Sequence, residues 1–309
     1  MENIIAIKLD NHSGGIRMDG LNEKAKRNEE NKDGLNRAII TTINASATND
    51  GDGVKIARSI GSSLLPQLDP FLLLDELKSD DAADYMGGFP SHPHRGFETV
   101  TYMLEGSMRH KDSVGNEGLV RSGDIQWMTA GSGIVHSEMP EQEEGRMWGF
   151  QLWINLPANQ KMRAPRYQEI ASANVPEVNN VQGKLRLLAG ELNGMKGAVQ
   201  DIVTDPLLVD AQLNPNVSTK IVLPKSHEAI IYVYKGSLEI EERCLKAQQL
   251  GQLSSGSVIE IVASSEGVGA LILAAAPLNE PVVRAGPFVM NTQQELEKAF
   301  ADFHSGNFV

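Results

Sequence analysis

Glu98-Thr99-Val100-Thr101-Tyr102-Met103-Leu104-Glu105-Gly106-Ser107-Met108-Arg109-His110-Lys111 reads as a strand, a short turn and a second strand. Threonine, valine and tyrosine suit the pleated surface of a sheet, and Glu105-Gly106 supplies the punctuation between the two runs. The pattern continues outward in both directions. Downstream come strands at Gly118–Arg121, Asp124–Met128, Ile134–Met139 and Trp148–Asn155, with turn signals at Val114-Gly115-Asn116, Ser122-Gly123-Asp124 and Gly131-Ser132-Gly133. Upstream, strands at Ala38–Ile43 and Val54–Ile60 flank the turn Asn49-Asp50-Gly51-Asp52-Gly53, and Leu68–Leu77 is a compact apolar segment. No long helical period interrupts this half. Short strands at such spacing build a β-barrel or sandwich.

The second half repeats the design. Tyr234-Lys235-Gly236-Ser237-Leu238 echoes Met103-Leu104-Glu105-Gly106-Ser107-Met108, and Ser255-Gly256-Ser257 echoes Arg121-Ser122-Gly123-Asp124. Strands are predicted at Leu185–Ala189, Ala198–Val203, Leu207–Leu213, Ser218–Leu223, Ala229–Lys235, Ser237–Glu241, Ser257–Val262 and Gly269–Ala276. Two related barrels in tandem produce such echoes, with the polar, proline-containing stretch Pro157–Pro176 as their connection. Thr292-Gln293-Gln294-Glu295 is a capping box, so a helix closes the chain. The expected division is a first domain at 37–165 and a second at 166–309. Residues 1–36, charged, of mixed sign and poor in apolar anchors, read as a flexible extension, with Met18 as an alternative start.

Among 309 residues the formal charge is -12, which disfavours a duplex-wrapping or membrane-surface role. Nucleic acid is not an expected partner. The single Cys244 excludes an intrachain disulfide framework and fits a reducing compartment. The apolar run Ile4–Leu9, interrupted by Lys8, is too short for a signal-peptide core or a membrane span. A cytoplasmic monomer is expected.

Chemistry concentrates in two short clusters, His92-Pro93-His94 and His136-Ser137-Glu138, which hold three of the seven histidines. Residues i and i+2 of a strand share a face, so each cluster projects two donors to one side. Imidazoles with a carboxylate suit a divalent metal: iron, manganese, nickel, copper or zinc. Glu98 competes with Glu138 for the carboxylate position, because His94-x-x-x-Glu98 is also a metal-ligand spacing. Spacing alone does not choose between them. A lone His-x-His is more often a pair of half-exposed polar residues on a sheet, and the second cluster is what raises it above that. His110 and His227 lie outside any cluster and read as surface or core histidines. Trp127, Met128, Met139, Phe89, Phe97, Trp148 and Trp153 read mainly as core, and some could line an apolar pocket. Gly131-Ser132-Gly133 lacks the lysine and helix of a phosphate loop, and Cys244 reads as an inert thiol.

These segments resemble the pirin family, a branch of the cupin superfamily. The resemblance rests on Leu68–Glu76, on Gly88-Phe89-Pro90-Ser91-His92-Pro93-His94-Arg95-Gly96-Phe97-Glu98-Thr99-Val100, on Gly123–Gly131, on Gly133–Pro140, on Gln151–Leu156 and on Gly286-Pro287-Phe288-Val289-Met290-Asn291. It runs from about Ala38 to the C-terminus. It implies an all-β fold of two tandem cupin barrels (double-stranded β-helix, or jelly-roll) with a short C-terminal helix. It also implies one metal, most often Fe(II), in the first barrel only. The implied ligands are His92, His94, His136 and Glu138, leaving Glu98 a non-ligand. The second barrel, without a histidine cluster, is expected to pack against the first and shape its cleft.

Two functions follow from the resemblance. The first is a quercetin 2,3-dioxygenase-like oxidoreductase that opens a flavonol ring with O2, with Glu138 as both ligand and proton acceptor. Its partners are a small aromatic substrate and dioxygen. The alternative is a non-enzymatic, redox-sensing regulator that binds a protein partner through its metal domain. An exposed charged face beside the site, with Arg95 and Glu98 as candidates, would favour that alternative.

Overall fold

The computed structural model describes residues 36–309. The readings made of a flexible extension and of Met18 fall on residues before these. Strands dominate the described residues, in three main sheets and two small hairpins, and the chain ends with the helix Gln293–His304. Thr292 caps that helix through its hydroxyl while Glu295 reaches back to the cap backbone, as the capping box predicts.

A seven-stranded antiparallel sheet and a four-stranded sheet form the first barrel. The large sheet runs in the order Arg166–Ile170, Ile125–Thr129, Phe97–Glu105, Met147–Asn155, Phe71–Ser79, Val54–Ile60, Ser46–Asp50. The small one runs Phe89–His94, Ile134–Pro140, Ser107–Asp112, Glu117–Arg121. The second barrel is built on a nine-stranded sheet. Two strands near the expected domain boundaries pair across them. Ile39–Asn44 hydrogen-bonds to Gln249–Leu253 in the second barrel, and Arg166–Ile170 adds an edge to the first beside Ile125–Thr129.

The central strands of the seven-stranded sheet are buried on both faces, and strand alternation divides their work. Val100, Tyr102, Phe150 and Leu152 join Leu208, Ile230, Tyr232 and Leu273 in one apolar cluster shared by the two barrels. Thr101, Met103, Gln151 and Trp153 turn the other way and line a cavity in the first barrel. A polar lock crosses the shared face. The fully buried Asp210 accepts from the Tyr102 hydroxyl at 2.7 Å and from the Tyr234 hydroxyl at 2.5 Å, with the Arg186 guanidinium 2.8 Å from Tyr102 Oη.

Three readings of the second half differ from the structure. Ala229–Lys235 and Ser237–Glu241 are one strand, Glu228–Ile240, and Ser257–Val262 and Gly269–Ala276 are one strand, Val258–Ala275. The register shifts on either side of Gly236 bend the ladder without ending it, so that glycine marks a bulge. Ala198–Val203 forms no strand: Val199 makes only an isolated bridge to Ala189, and Asp201 at φ +56° turns the chain out of the extended region.

Candidate metal centre

Phe89–His94 contains two prolines, which a central strand would not tolerate. It lies at the edge of the four-stranded sheet, where missing N–H donors cost nothing. Its partner Ile134–Pro140 sets His136 opposite His92 and Ile134 opposite His94. The two histidine clusters therefore meet as adjacent antiparallel strands. Each of His92, His94 and His136 offers a ring nitrogen within 4.8 Å of the others, the one such grouping of three among the described residues. The His92 and His94 rings meet edge to face at 4.6 Å, and His136 lies 4.5 Å from His92 and 5.0 Å from His94.

The donor chemistry fits a cation. His92 Nδ1 is 2.8 Å from the Pro90 carbonyl oxygen, which fixes its proton there and leaves Nε2 a bare lone pair facing inward. Nε2 of His92 and Nε2 of His94 are 2.9 Å apart. His94 Nδ1 and both nitrogens of His136 are buried without a hydrogen-bond partner. Such orphaned nitrogens are costly in an apo interior and natural in a metal site. Burial holds both imidazoles well below the ordinary histidine range, and neighbouring imidazoles push the same way. Both stay neutral and available as ligands at neutral pH.

Glu138 stands apart from the three histidines. Its buried carboxylate is held by Thr101, whose hydroxyl donates to Oε1 at 2.9 Å, and by Gln151, whose amide donates to Oε2 at 2.8 Å. It lines the same cavity as His92 and His94 but lies outside the histidine grouping. Glu98 faces elsewhere. It lies three residues from Thr101 along its strand, hence on the opposite side of the sheet, where Thr129 Oγ1 donates to its Oε1 at 2.6 Å.

The exposed charged face expected at Arg95 and Glu98 is absent, since both are buried. Arg95 donates to the Ser132 carbonyl at 2.5 Å and pairs with Asp302 at 2.8 Å, so it fastens the C-terminal helix to the loop after His94. That loop needs Gly96, at φ +90°, where a Cβ would stand 2.0 Å from the Val289 carbonyl oxygen. His110 is buried, stacked on Tyr167 at 4.5 Å with its Nδ1 2.5 Å from the Gln126 amide, as a core histidine. His227 is likewise buried, in the second barrel. Cys244 is exposed and unpaired.

The cavity over the histidines has a volume of about 560 Å³ and is walled by Phe89, Met103, Met108 and Trp153, with the polar groups Arg58, Asp75 and Arg284. Arg58 grips Asp75 in a fork, Nε to Oδ1 at 2.8 Å and Nη2 to Oδ2 at 2.6 Å, and reaches Asp50 as well. Size and lining suit a planar aromatic ligand with a few fixed polar contacts.

The pirin family model matches residues 53–154, and the model of the pirin C-terminal cupin domain matches 208–309. A pirin-like protein of Caulobacter vibrioides is 43% identical over 88% of this chain and 99% of its own length. The chain belongs to the pirin family. Human pirin is 38% identical over 88% of the chain and 94% of its own length. The crystal structure of a quercetin 2,3-dioxygenase from Acinetobacter baumannii superposes with a TM-score of 0.81 at 33% identity, covering 88% of this chain and 98% of that one. The two tandem cupin barrels expected from the resemblance are thus the fold of this family member. No helix among the described residues is long and apolar enough to cross a membrane.

Sequence reasoning did not single out Thr101, Gln151, Arg58, Arg284 or Lys161. Thr101 and Gln151 carried a usable signal: uncharged polar residues at inward positions of otherwise apolar strands, directly paired in the ladder. Arg58 and Arg284 carried none, because their place depends on contacts between distant segments.

Proposed function

We propose that this protein is a metal-dependent dioxygenase that opens the heterocycle of a quercetin-type flavonol with O2, releasing carbon monoxide. The observation that carries the reading is a set of three imidazoles whose ring nitrogens converge within 4.8 Å, two of the three lining an apolar cavity that has a carboxylate on its wall. His92, His94 and His136 would hold the metal through ring nitrogens, and Glu138 through a carboxylate oxygen. A bound divalent metal supplies Lewis acidity and, when redox-active, an electron path between substrate and dioxygen.

Three imidazoles with a carboxylate suit a divalent first-row ion, and among these we assign Fe(II). Glu138 accepts the proton of the substrate's 3-hydroxyl at a carboxylate oxygen, and the Thr101 and Gln151 donors keep that carboxylate aimed into the cavity. Phe89 and Trp153 line the cavity and would flank the ring system of a bound flavonol.

The test is direct. Iron-loaded protein consumes oxygen and releases carbon monoxide with quercetin, and His92→Ala abolishes both. Absence of turnover with iron, manganese, nickel and copper in turn would remove the reading.

A further inference from the structure

The cavity lining carries two arginines, and they are in different states. Arg58 is paired with Asp75 and Asp50. Arg284 has no carboxylate within ion-pair distance among the described residues, and its one hydrogen bond there is Nη1 to the Leu72 carbonyl at 3.0 Å. A guanidinium has five N–H donors, so most of this one is unspent. It is partly buried, and burial and the nearby Arg58 charge outweigh the support that the more distant Asp75 and Asp50, already held by Arg58, give its cationic form. An unpaired charge in such a place is stabilised strongly by an incoming anion.

Its position relative to the metal candidates is defined. The guanidinium carbon lies 5.0 Å from the Trp153 ring centroid, and Trp153 lies 5.1 Å from the His94 ring. Arg284 therefore stands one aromatic ring away from a proposed ligand, on the same cavity. It is carried by the hairpin Val283–Ala285 to Phe288–Met290, which belongs to the C-terminal half of the chain. That hairpin is fixed: Val289 N–H donates to the Arg95 carbonyl at 3.0 Å, and Lys161 Nζ to the Val289 carbonyl at 3.0 Å.

We propose that Arg284 is a specificity-determining residue that binds an ionised oxygen, carboxylate or phenolate, on a planar aromatic substrate held in this cavity. The site then prefers anionic flavonols to neutral ones of the same shape. This inference rests on the flavonol reading above and names the substrate class within it. A purely structural Arg284, bonded to Leu72 and stacked on Trp153, would not discriminate ligand charge.

The full-length protein loaded with zinc, which supports binding without oxygen chemistry, is titrated by tryptophan fluorescence with 3-hydroxyflavone and with its ring-carboxylated analogue. The carboxylated probe binds the wild type about tenfold or more tighter, the effect of one charge-assisted hydrogen bond. Arg284→Gln loses that preference, weakening the carboxylated probe far more than the neutral one, and Arg284→Lys keeps part of it. A ring-hydroxylated probe, titrated below and above its phenol ionisation, separates phenolate from carboxylate recognition. Preference unchanged in Arg284→Gln, or equal loss for both probes, would overturn the inference and leave the flavonol reading standing. Failure of the wild type to bind any probe would sink both.

Discussion

Lys161 is fully buried, and its ammonium makes three hydrogen bonds: to the Gly96 carbonyl at 2.8 Å, to Asn155 Oδ1 at 2.6 Å and to the Val289 carbonyl at 3.0 Å. It ties the loop after His94 to the end of a cavity strand and to the hairpin that bears Arg284. Burial pushes its pKa down from 10.5 to about 8, although Glu280 and Glu295 pull the other way. The charge is thus retained at neutral pH at a cost of roughly 3 kcal/mol relative to the unfolded chain. Lys161→Met relieves that cost but orphans three acceptors, about 2 kcal/mol each, for a net loss of about 3 kcal/mol at pH 7. Between pH 8 and 10.5 the unfolded chain binds more protons at this position than the folded one does, so the lysine's contribution to stability rises with pH. The gap between wild type and Lys161→Met therefore widens across that window, towards about 6 kcal/mol. Urea unfolding of both proteins in parallel, in matched metal state from pH 7 to 10, measures it. Parallel stability curves, or a variant as stable as wild type at pH 7, would show the account of Lys161 to be wrong.

Two further perturbations separate the parts of the molecule. Gly96→Ala meets the Val289 carbonyl at 2.0 Å and fails to fold stably, whereas Gly115→Ala, at φ +93° with open space around it, costs only about 1–2 kcal/mol, as paired thermal melts would show. Asp210→Ala orphans the Tyr102 and Tyr234 hydroxyls and costs about 3–5 kcal/mol by urea unfolding. Its iron content after loading, read by elemental analysis, stays at the wild-type value, because Asp210 lies on the far face of the sheet from the histidines.

Legibility in the sequence followed the range of the interaction. Phe97–Glu105, Ile134–Pro140 and Leu207–Leu213 were readable because a strand's residue types and its turns are local. Arg166–Ile170 was not, since its pattern is mixed and only the exposed edge beside Ile125–Thr129 makes it a strand. The same holds for Ile39–Asn44, legible as a strand but silent about its partner more than two hundred residues away. At the site, period-two spacing paired His92 with His94 and His136 with Glu138. It could not show that Glu138 is turned towards Thr101 and Gln151, nor that Glu98 faces the opposite side, because both depend on which way the whole strand is set in its sheet.

That setting also explains why a second barrel without a metal cluster bears on the site at all. Inward positions of the seven-stranded sheet carry Thr101, Gln151 and Trp153, polar or bulky groups that a cavity needs and that pack poorly as a core. Outward positions carry Val100, Tyr102, Phe150 and Leu152, which would be a large exposed apolar face if the sheet stood alone. Covering that face with the second barrel stabilises the sheet from behind, so its inner face is free to be hollow and polar. The same chain then returns past its own barrel to lay Gly286, Pro287 and Arg284 on the cavity rim. The second half of the chain thus acts on the candidate site twice, through the barrel that buttresses the sheet and through the hairpin after it, which supplies part of the cavity wall.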